Sequence, residues 1–268
     1  MTANSKKDMN KGVIYCAVYG KRHYFMSIIS SIQFNSLNPD IPITILSDQM
    51  FCDNSILSKY NITIVKIKST TGFHRELDSR QVKTNLFSLS PYQTTLYLDT
   101  DILPLQHCSE LWDISKQHDF CIVRDMSNTI SECFQKLTLD GIYTLENYPS
   151  TLELYNSGVM LFNKIEGNET LFKTWHEEWS KYQSYDQYSL VRSIAETKTQ
   201  VFELENRFNT LVNGNIKVNY DSIVFLHILK YFTPWDKSIQ IYKTMSPQSW
   251  ETALNILGYD EQKVLTLV

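Results

Sequence analysis

The first hundred residues alternate between short apolar segments and longer segments in which apolar residues recur at helical spacing. Such alternation is typical of an α/β fold, in which a mostly parallel, twisted sheet is flanked by helices. Helix faces are predicted from Phe25, Ile28, Ile29 and Ile32, and again from Val82, Leu86 and Leu89. Strands are predicted at 13–19, 43–46, 62–67 and 94–98.

The second half of the sequence is less regular, and it contains no repeat and no linker-like stretch. We therefore expect a single domain over residues 13–268, preceded by a flexible polar tail at 1–12. Asn168 is expected to cap one helix, and Ser246, Pro247 and Gly258 to bracket the last one. Strands are predicted at 120–124, 155–162 and 200–204, and helices at 168–182 and 186–195.

Composition limits the partners and the compartment. A net charge of -4 and a pI near 5.9 argue against nucleic-acid binding, which needs a basic excess. The first twelve residues lack the apolar core of a signal peptide or a membrane anchor, so no transmembrane segment is expected. The five cysteines form no Cys-x-x-Cys pair and are odd in number, which favours free thiols and a cytoplasmic location.

An acidic pair, Asp99 and Asp101, directly follows the predicted strand 94–98. The Asp-x-Asp pattern is common by chance, so its position carries the information. Ligands of open α/β sheets bind beyond the carboxyl ends of the strands, which is where this pair is expected. Carboxylates there suit Mg²⁺ or Mn²⁺, ions that neutralise phosphate oxygens. The alternative is a turn with two solvated aspartates.

Residues 80–101 resemble the helix, strand and Asp-x-Asp turn of GT-A glycosyltransferases, in particular the glycogenin-like enzymes of family 8. That family includes bacterial lipopolysaccharide galactosyl- and glucosyltransferases. Three short matches follow in the family's order and together span most of the chain: the Tyr-Asn-Ser-Gly-Val-Met-Leu-Phe-Asn segment at 155–163, Asp186-Gln187, and His227 with Pro234-Trp235. The resemblance implies a GT-A (Rossmann-like) fold and transfer of a hexose from a nucleotide diphosphate sugar, a UDP-sugar, to a hydroxyl group of a carbohydrate or other acceptor.

The resemblance also implies a metal site. Asp99 and Asp101 would ligate the ion, with Thr100 between them in the donor site, and His227 would supply a third ligand. An imidazole beside two carboxylates favours Mn²⁺ over Mg²⁺. Without the family pattern, a histidine that ends an apolar strand is more often structural.

Donor contacts are expected from two further segments. Arg80 and Lys83 share a helix face and would form a basic edge toward the donor, although charged residues often serve only as a solvated face. Ala17, Val18 and Tyr19 lie where relatives hold the nucleotide base, and a role in the core is the alternative.

The sequence departs from the family pattern His-x-x-Gly-x-x-Lys-Pro-Trp at two places. Lys230 takes the place of the glycine, and Thr233 takes that of a lysine that contacts the donor diphosphate in relatives. Lys230, Arg80 or Lys83 would have to supply the missing charge, or the chain would rely on the metal alone.

The catalytic residues implied by the resemblance are Asn156, Asp186 and Gln187. Asp186 would accept hydrogen bonds from the donor sugar, with capping of a helix as the alternative, and Gln187 would lie near the anomeric carbon. Relatives retain the anomeric configuration, so retention is expected. Acceptor contacts are expected from 126–154 and the C-terminal third.

Two other functions fit parts of the sequence. A degenerate transferase that binds a sugar nucleotide or carbohydrate without turnover would account for the missing lysine. A phosphatase of the haloacid-dehalogenase type also places Asp-x-Asp after a strand, but there the motif begins the domain. Here an α/β pattern precedes the pair, and no late Asp-Asp pair follows it.

Overall fold

A computed structural model of the chain describes residues 10–68, 76–212, 220–229 and 232–267. The elements of the first half are β1 (Lys11–Ala17), α1 (Lys21–Leu37), β2 (Ile43–Ser47), α2 (Asn54–Leu57), β3 (Ile62–Lys66), α3 (Ser79–Lys83), α4 (Leu86–Leu89), β4 (Thr94–Leu98), β5 (Ile102–Pro104) and α5 (Ser109–Ile114). Those of the second half are β6 (Phe120–Thr129), α6 (Leu139–Asn147), β7 (Glu153–Asn163), α7 (Glu166–Tyr182), α8 (Asp186–Thr197), β8 (Phe202–Leu204), β9 (Thr210–Leu211), β10 (Phe225–His227), α9 (Trp235–Met245), α10 (Pro247–Leu257) and α11 (Glu261–Leu265).

Two sheets organise the described part of the chain. The larger has seven strands in the order β3-β2-β1-β4-β7-β6-β8, and only β7 runs against the other six. The smaller has three strands in the order β5-β10-β9. The predicted α/β class with a mostly parallel, helix-covered sheet is confirmed. The small sheet lies at the carboxyl end of β4 and places β10 beside the acidic pair.

Strand β1 shows why the central strands read as continuous apolar runs. Val13 and Tyr15 belong to the core on the side of α1, whereas Ile14 and Cys16 belong to the core on the side of α7 and α8. All four are buried. A parallel strand covered by helices on both faces needs apolar residues at every position, not at alternate ones.

The structure corrects several predicted boundaries. Strand β1 begins at Lys11, so the last two residues of the predicted tail are part of the sheet. Tyr19 lies outside the strand with φ 62°. The helix predicted over Val82 to Leu89 is two short helices, α3 and α4, and Leu89 is partly exposed.

Of two predicted helix caps, Asn168 is wrong, and Ser246 holds its predicted position without a capping hydrogen bond from its side chain. Helix α7 begins at Glu166, and the Asn168 side chain instead donates to the carbonyls of Asp119 and Asn163. Helix α10 does begin at Pro247 and end before Gly258, but the Ser246 hydroxyl donates to the Tyr242 carbonyl, and α11 follows α10.

The five cysteines are all free, as predicted. Among the described residues, no helix combines the length and the apolar character that crossing a bilayer requires.

Candidate active site

The acidic pair lies in the turn between β4 and β5, and the small sheet brings His227 to it. The register of β5 and β10 pairs His227 with Ile102, and the Ile228 amide donates to the Asp101 carbonyl at 2.8 Å. One ligand atom from each of Asp99, Asp101 and His227 lies within 4.8 Å of the others. The structure therefore joins the three predicted ligands into one cluster, although they are far apart in sequence.

His227 is oriented by a hydrogen bond on the side away from the acidic pair. Its Nδ1 lies 2.8 Å from Asn209 Oδ1, so Nδ1 carries the proton. The Nε2 atom is buried without a hydrogen-bond partner among the described residues and lies 3.3 Å from Asp101 Oδ1. An imidazole whose Nδ1 is held in this way can offer Nε2 to a metal ion whenever Nε2 carries no proton, which is the arrangement of a metal-binding histidine. The site thus fits a divalent cation.

The acidic partner is ionised. Burial alone would raise the pKa of Asp101, but a proton on His227, which makes the ring positive and a donor to this carboxylate, outweighs burial and lowers the pKa to about 2. A cation bound in place of that proton would stabilise the ionised carboxylate in the same way, so Asp101 is a suitable ligand.

Gly158, in the Asn-Ser-Gly segment of β7, makes room for the histidine ring. A Cβ at this position would lie 2.6 Å from His227 Cε1 and 2.9 Å from Asn156 Oδ1. The Gly158 carbonyl also accepts a hydrogen bond from the Asp99 amide at 2.8 Å. The glycine is therefore required for the close approach of β7 to the cluster, not for a turn.

Lys83 and Arg80 bind two carboxylates side by side. The buried Lys83 Nζ lies 3.0 Å from Asp99 Oδ1 and 3.2 Å from Asp186 Oδ2. Arg80 Nε lies 3.4 Å from Asp186 Oδ1. Burial opposes ionisation of Asp186, but Lys83, Arg80 and a hydrogen bond from Ser157 hold its pKa well below the usual range. Asp186 does not cap α8, because its side chain is taken by these partners.

Asp125 is a site residue that the sequence analysis missed. It is buried on β6, and its Oδ2 accepts from Gln187 Nε2 at 2.8 Å and from Asn156 Nδ2 at 3.2 Å. Gln135 Nε2 in turn donates to Gln187 Oε1 at 3.2 Å. The Gln187 amide is thus fixed at both ends. An acid that follows the predicted strand 120–124 was the available signal, since Asp99 was found by the same pattern.

These residues surround two adjoining cavities of about 640 and 90 Å³. Both cavities are lined by Arg80, Lys83, Asp99, His227 and Leu229. The larger also contains Asp125, Asn156, Asp186 and Gln187, and the smaller contains Val18, His23, Thr100 and Asp101.

The structure does not bring every predicted donor residue to the cavities. Ala17 is buried in the core, and its carbonyl accepts from Ser47. Tyr19 is partly exposed and lines neither cavity. Thr233 is buried, and Lys230 lies outside the described residues.

The fold is that of a GT-A glycosyltransferase. A model of the family described as "Glycosyl transferase family 8" matches residues 34–238. The chain belongs to glycosyl transferase family 8, and it is a glycosyltransferase. This confirms the resemblance seen in the sequence and decides against a phosphatase.

Solved structures share the fold. The galactosyltransferase LgtC, in complex with donor and acceptor sugar analogues, is similar with a TM-score of 0.62 and 15% identity over 94% of this chain and 98% of that one. The glycosyltransferase GlyE of Streptococcus pneumoniae TIGR4 has a TM-score of 0.62 and 14% identity over 92% and 62% of the two chains. Mouse xyloside xylosyltransferase 1 has a TM-score of 0.53 and 12% identity over 83% and 99%. A search of curated protein sequences found no match.

Proposed function

We propose that this glycosyltransferase moves a hexose from a UDP-sugar to a hydroxyl acceptor, with Mn²⁺ at the cluster and with retention of anomeric configuration. The observation that carries the proposal is the cluster itself. Two carboxylates and the free Nε2 of a buried histidine meet beside a cavity of about 640 Å³. Binding sites for small ligands fall in this range of volumes.

Asp99, Asp101 and His227 would hold the ion, and the imidazole nitrogen favours Mn²⁺ over Mg²⁺. When bound, the ion supplies positive charge that stabilises the diphosphate leaving group. Lys83 would hold Asp99 and Asp186 in place, because its ammonium group is buried between the two carboxylates and balances their charge.

The donor sugar would lie over Asp186, Asn156 and Gln187, which line the larger cavity. Asp186 stays charged at neutral pH and accepts hydrogen bonds from sugar hydroxyls. The Gln187 amide is fixed by Asp125 and Gln135, so no reorganisation is needed when a polar transition state forms beside it. A neutral amide is a poor nucleophile. Retention therefore follows if the acceptor hydroxyl attacks on the leaving-group face and the diphosphate takes its proton.

Arg22, which precedes His23 at the smaller cavity, would take the role of the diphosphate cation in place of the missing lysine. Lys83 and Arg80 are engaged by carboxylates, and Thr233 has no charge. Arg22 is half-buried, stacks 4.2 Å from the centroid of the Trp235 ring, and its buried Nε has no hydrogen-bond partner among the described residues. Burial lowers the pKa of the Arg22 guanidinium. The negative charge of Asp101 acts in the opposite direction, so the two side chains are near neighbours.

The test is hydrolysis of and transfer from UDP-hexoses, with Mn²⁺ and after chelation. Asp101→Asn should lower the metal-dependent rate at least a hundredfold, because a ligand and its charge are lost. Asp113→Asn is the matched control, since this aspartate is exposed and forms an exposed pair with Lys116. Unchanged activity of Asp101→Asn would refute the metal assignment. NMR of the first-formed product would show an α-linkage from an α-linked donor, and a β-linkage would refute retention.

Wild-type binding of UDP-hexose without any turnover would instead favour the degenerate transferase.

A further inference from the structure

A continuous chain of side-chain hydrogen bonds leads from the metal cluster to the larger cavity. Its members are His227 on β10, Asn209, Asn156 on β7 and Asp125 on β6. His227 Nδ1 lies 2.8 Å from Asn209 Oδ1, and Asn209 Nδ2 donates to Asn156 Oδ1 at 2.9 Å. Asn156 Nδ2 in turn donates to Asp125 Oδ2 at 3.2 Å. Asn209 therefore contacts both a metal ligand and a residue that lines the larger cavity.

The direction of these bonds is fixed by a backbone group that can only donate. The Gly158 amide donates to Asn156 Oδ1 at 3.0 Å, so the oxygen of Asn156 faces Gly158 and its nitrogen faces Asp125. An oxygen on Asn156 requires a donor on Asn209, which is Nδ2. The Asn209 oxygen is then left for His227, whose Nδ1 must donate to it. Nε2 of His227 is the nitrogen that remains for a cation.

The backbone around Asn209 holds this side chain in place. Asn209 follows a single 3-10 turn, Asn206–Phe208, and its amide donates to the Asn206 carbonyl at 3.0 Å. Strand β9 begins at the next residue and runs beside β10, where Leu211 pairs with His227. Asn209 is only 5% exposed. A buried amide that is hydrogen-bonded at both ends cannot turn over without leaving polar groups unpaired, so it fixes its two neighbours.

We propose that Asn209 is a positioning residue for both halves of the site. Its oxygen selects the tautomer of His227 that leaves Nε2 for the metal, and its nitrogen holds Asn156 in the sugar site. This inference rests on the proposed function and adds to it a shared support for the metal and the donor sugar. The two roles use different atoms of one amide, so substitutions can remove them separately.

Asn209→Leu removes both roles with a side chain of similar size. Without an acceptor at Nδ1, a neutral His227 ring can carry its proton on Nε2, where Asp101 Oδ1 at 3.3 Å would accept it. Nε2 then has no lone pair for the ion. Loss of an orienting contact to a metal ligand typically costs ten- to a hundredfold in affinity, so Mn²⁺ binding should weaken at least about tenfold in calorimetry.

Asn209→Asp removes only the second role. One carboxylate oxygen can still accept from His227 Nδ1, as carboxylates do beside metal-binding histidines, so Mn²⁺ affinity should stay within about threefold of the wild type. The other oxygen takes the place of Nδ2 and faces Asn156 Oδ1 at 2.9 Å. Two acceptors at this distance repel, so Asn156 should be displaced. At saturating Mn²⁺, the affinity for UDP-glucose or UDP-galactose relative to that for UDP should fall at least about fivefold, the cost of one lost hydrogen bond.

Asn206→Leu is the matched control, because Asn206 lies in the same turn and is exposed. It should change neither the Mn²⁺ affinity nor the relative affinity for the nucleotide sugar. Unfolding temperatures recorded without metal would show that each variant folds. If Asn209→Leu does not fold, Asn209→Ala, which also lacks both polar atoms, replaces it.

Wild-type Mn²⁺ affinity in Asn209→Leu would overturn the first role, and so would an equal loss of Mn²⁺ affinity in Asn209→Asp. An unchanged relative affinity for the nucleotide sugar in Asn209→Asp would overturn the second role.

Nitrogen-15 NMR of the histidine rings, recorded without metal at a pH where they are neutral, tests the first role independently of any ion. His227 should carry its proton on Nδ1 in the wild type and on Nε2 in Asn209→Leu, and the same tautomer in both would overturn this role. If the wild type shows the Nδ1 tautomer but binds no Mn²⁺, the proposed function fails and the role of Asn209 in selecting the tautomer stands.

Discussion

Replacing Gly158 with alanine should damage the metal site with little effect on the rest of the fold. The new Cβ would lie 2.6 Å from His227 Cε1 and 3.0 Å from His227 Nδ1. Restoring an ordinary contact of about 3.4 Å requires the ring to move by about 0.8 Å. The ring is buried, and its Nδ1 is bound to Asn209 at 2.8 Å, so a shift of this size breaks or lengthens that bond and displaces Nε2. Loss of an orienting contact to a metal ligand typically costs ten- to a hundredfold in affinity.

Calorimetric titration with Mn²⁺ would measure the effect, with the unfolding temperature of each variant recorded without metal. Gly167→Ala is the matched control, because Gly167 lies in α7 and the nearest atom to its Cβ is Ile165 Cδ1 at 3.8 Å. We expect Mn²⁺ affinity to fall at least tenfold in Gly158→Ala and to stay unchanged in Gly167→Ala. Wild-type affinity in Gly158→Ala would show that the ring position does not matter for the ion. No binding to the wild type would refute the metal site itself.

Three further predictions follow from buried charges. Arg192→Met leaves the buried Asp140 without its cation and Glu178 with only the half-exposed Lys181, and should cost about 3–5 kcal/mol, or about 10 °C in unfolding temperature. Lys116→Met, in an exposed pair, should change little. The pKa of Asp186 is lowered in the folded state, so the ionised carboxylate stabilises the fold fully above about pH 4 to 5. This stabilisation is lost as the pH falls toward the folded pKa. Urea unfolding should therefore show a smaller loss of stability on acidification for Asp186→Asn than for the wild type. Arg22→Gln should weaken the binding of UDP at least fivefold, as measured by calorimetry, and should hardly change the binding of uridine, which has no diphosphate. An equal loss of affinity for both ligands would contradict a role of Arg22 at the diphosphate.

Sequence patterns were enough to predict the sheet and the placement of the acidic pair. Strand β4 was predicted at its observed bounds, and Asp99 follows it at the carboxyl end of the sheet. Both follow from local rules, because apolar periodicity reports which residues a strand or helix buries, and a residue that follows a buried strand must lie at the edge of the sheet. The family assignment had the same source, since the motifs are short and each lies within one element.

Predictions at element ends were weaker. Tyr19 was placed in the first strand, yet the strand ends at Ala17, and the side chain does not reach either cavity. Asn168 was read as a cap, yet its amide bonds to a neighbouring strand end. Asparagine serves a helix start and a loop carbonyl equally well, so only its tertiary neighbours decide which it does.

What the sequence by itself determined is the alternation of strands and helices, the family and the identity of the candidate ligands. Only the tertiary structure decided that Lys83 is held between Asp99 and Asp186, that Asp125 joins the site, and that His227 keeps a free nitrogen toward Asp101. The physical reason is that periodicity and motifs are properties of neighbouring residues. Distances between charges on separate strands depend instead on sheet register and on the packing of side chains remote in sequence.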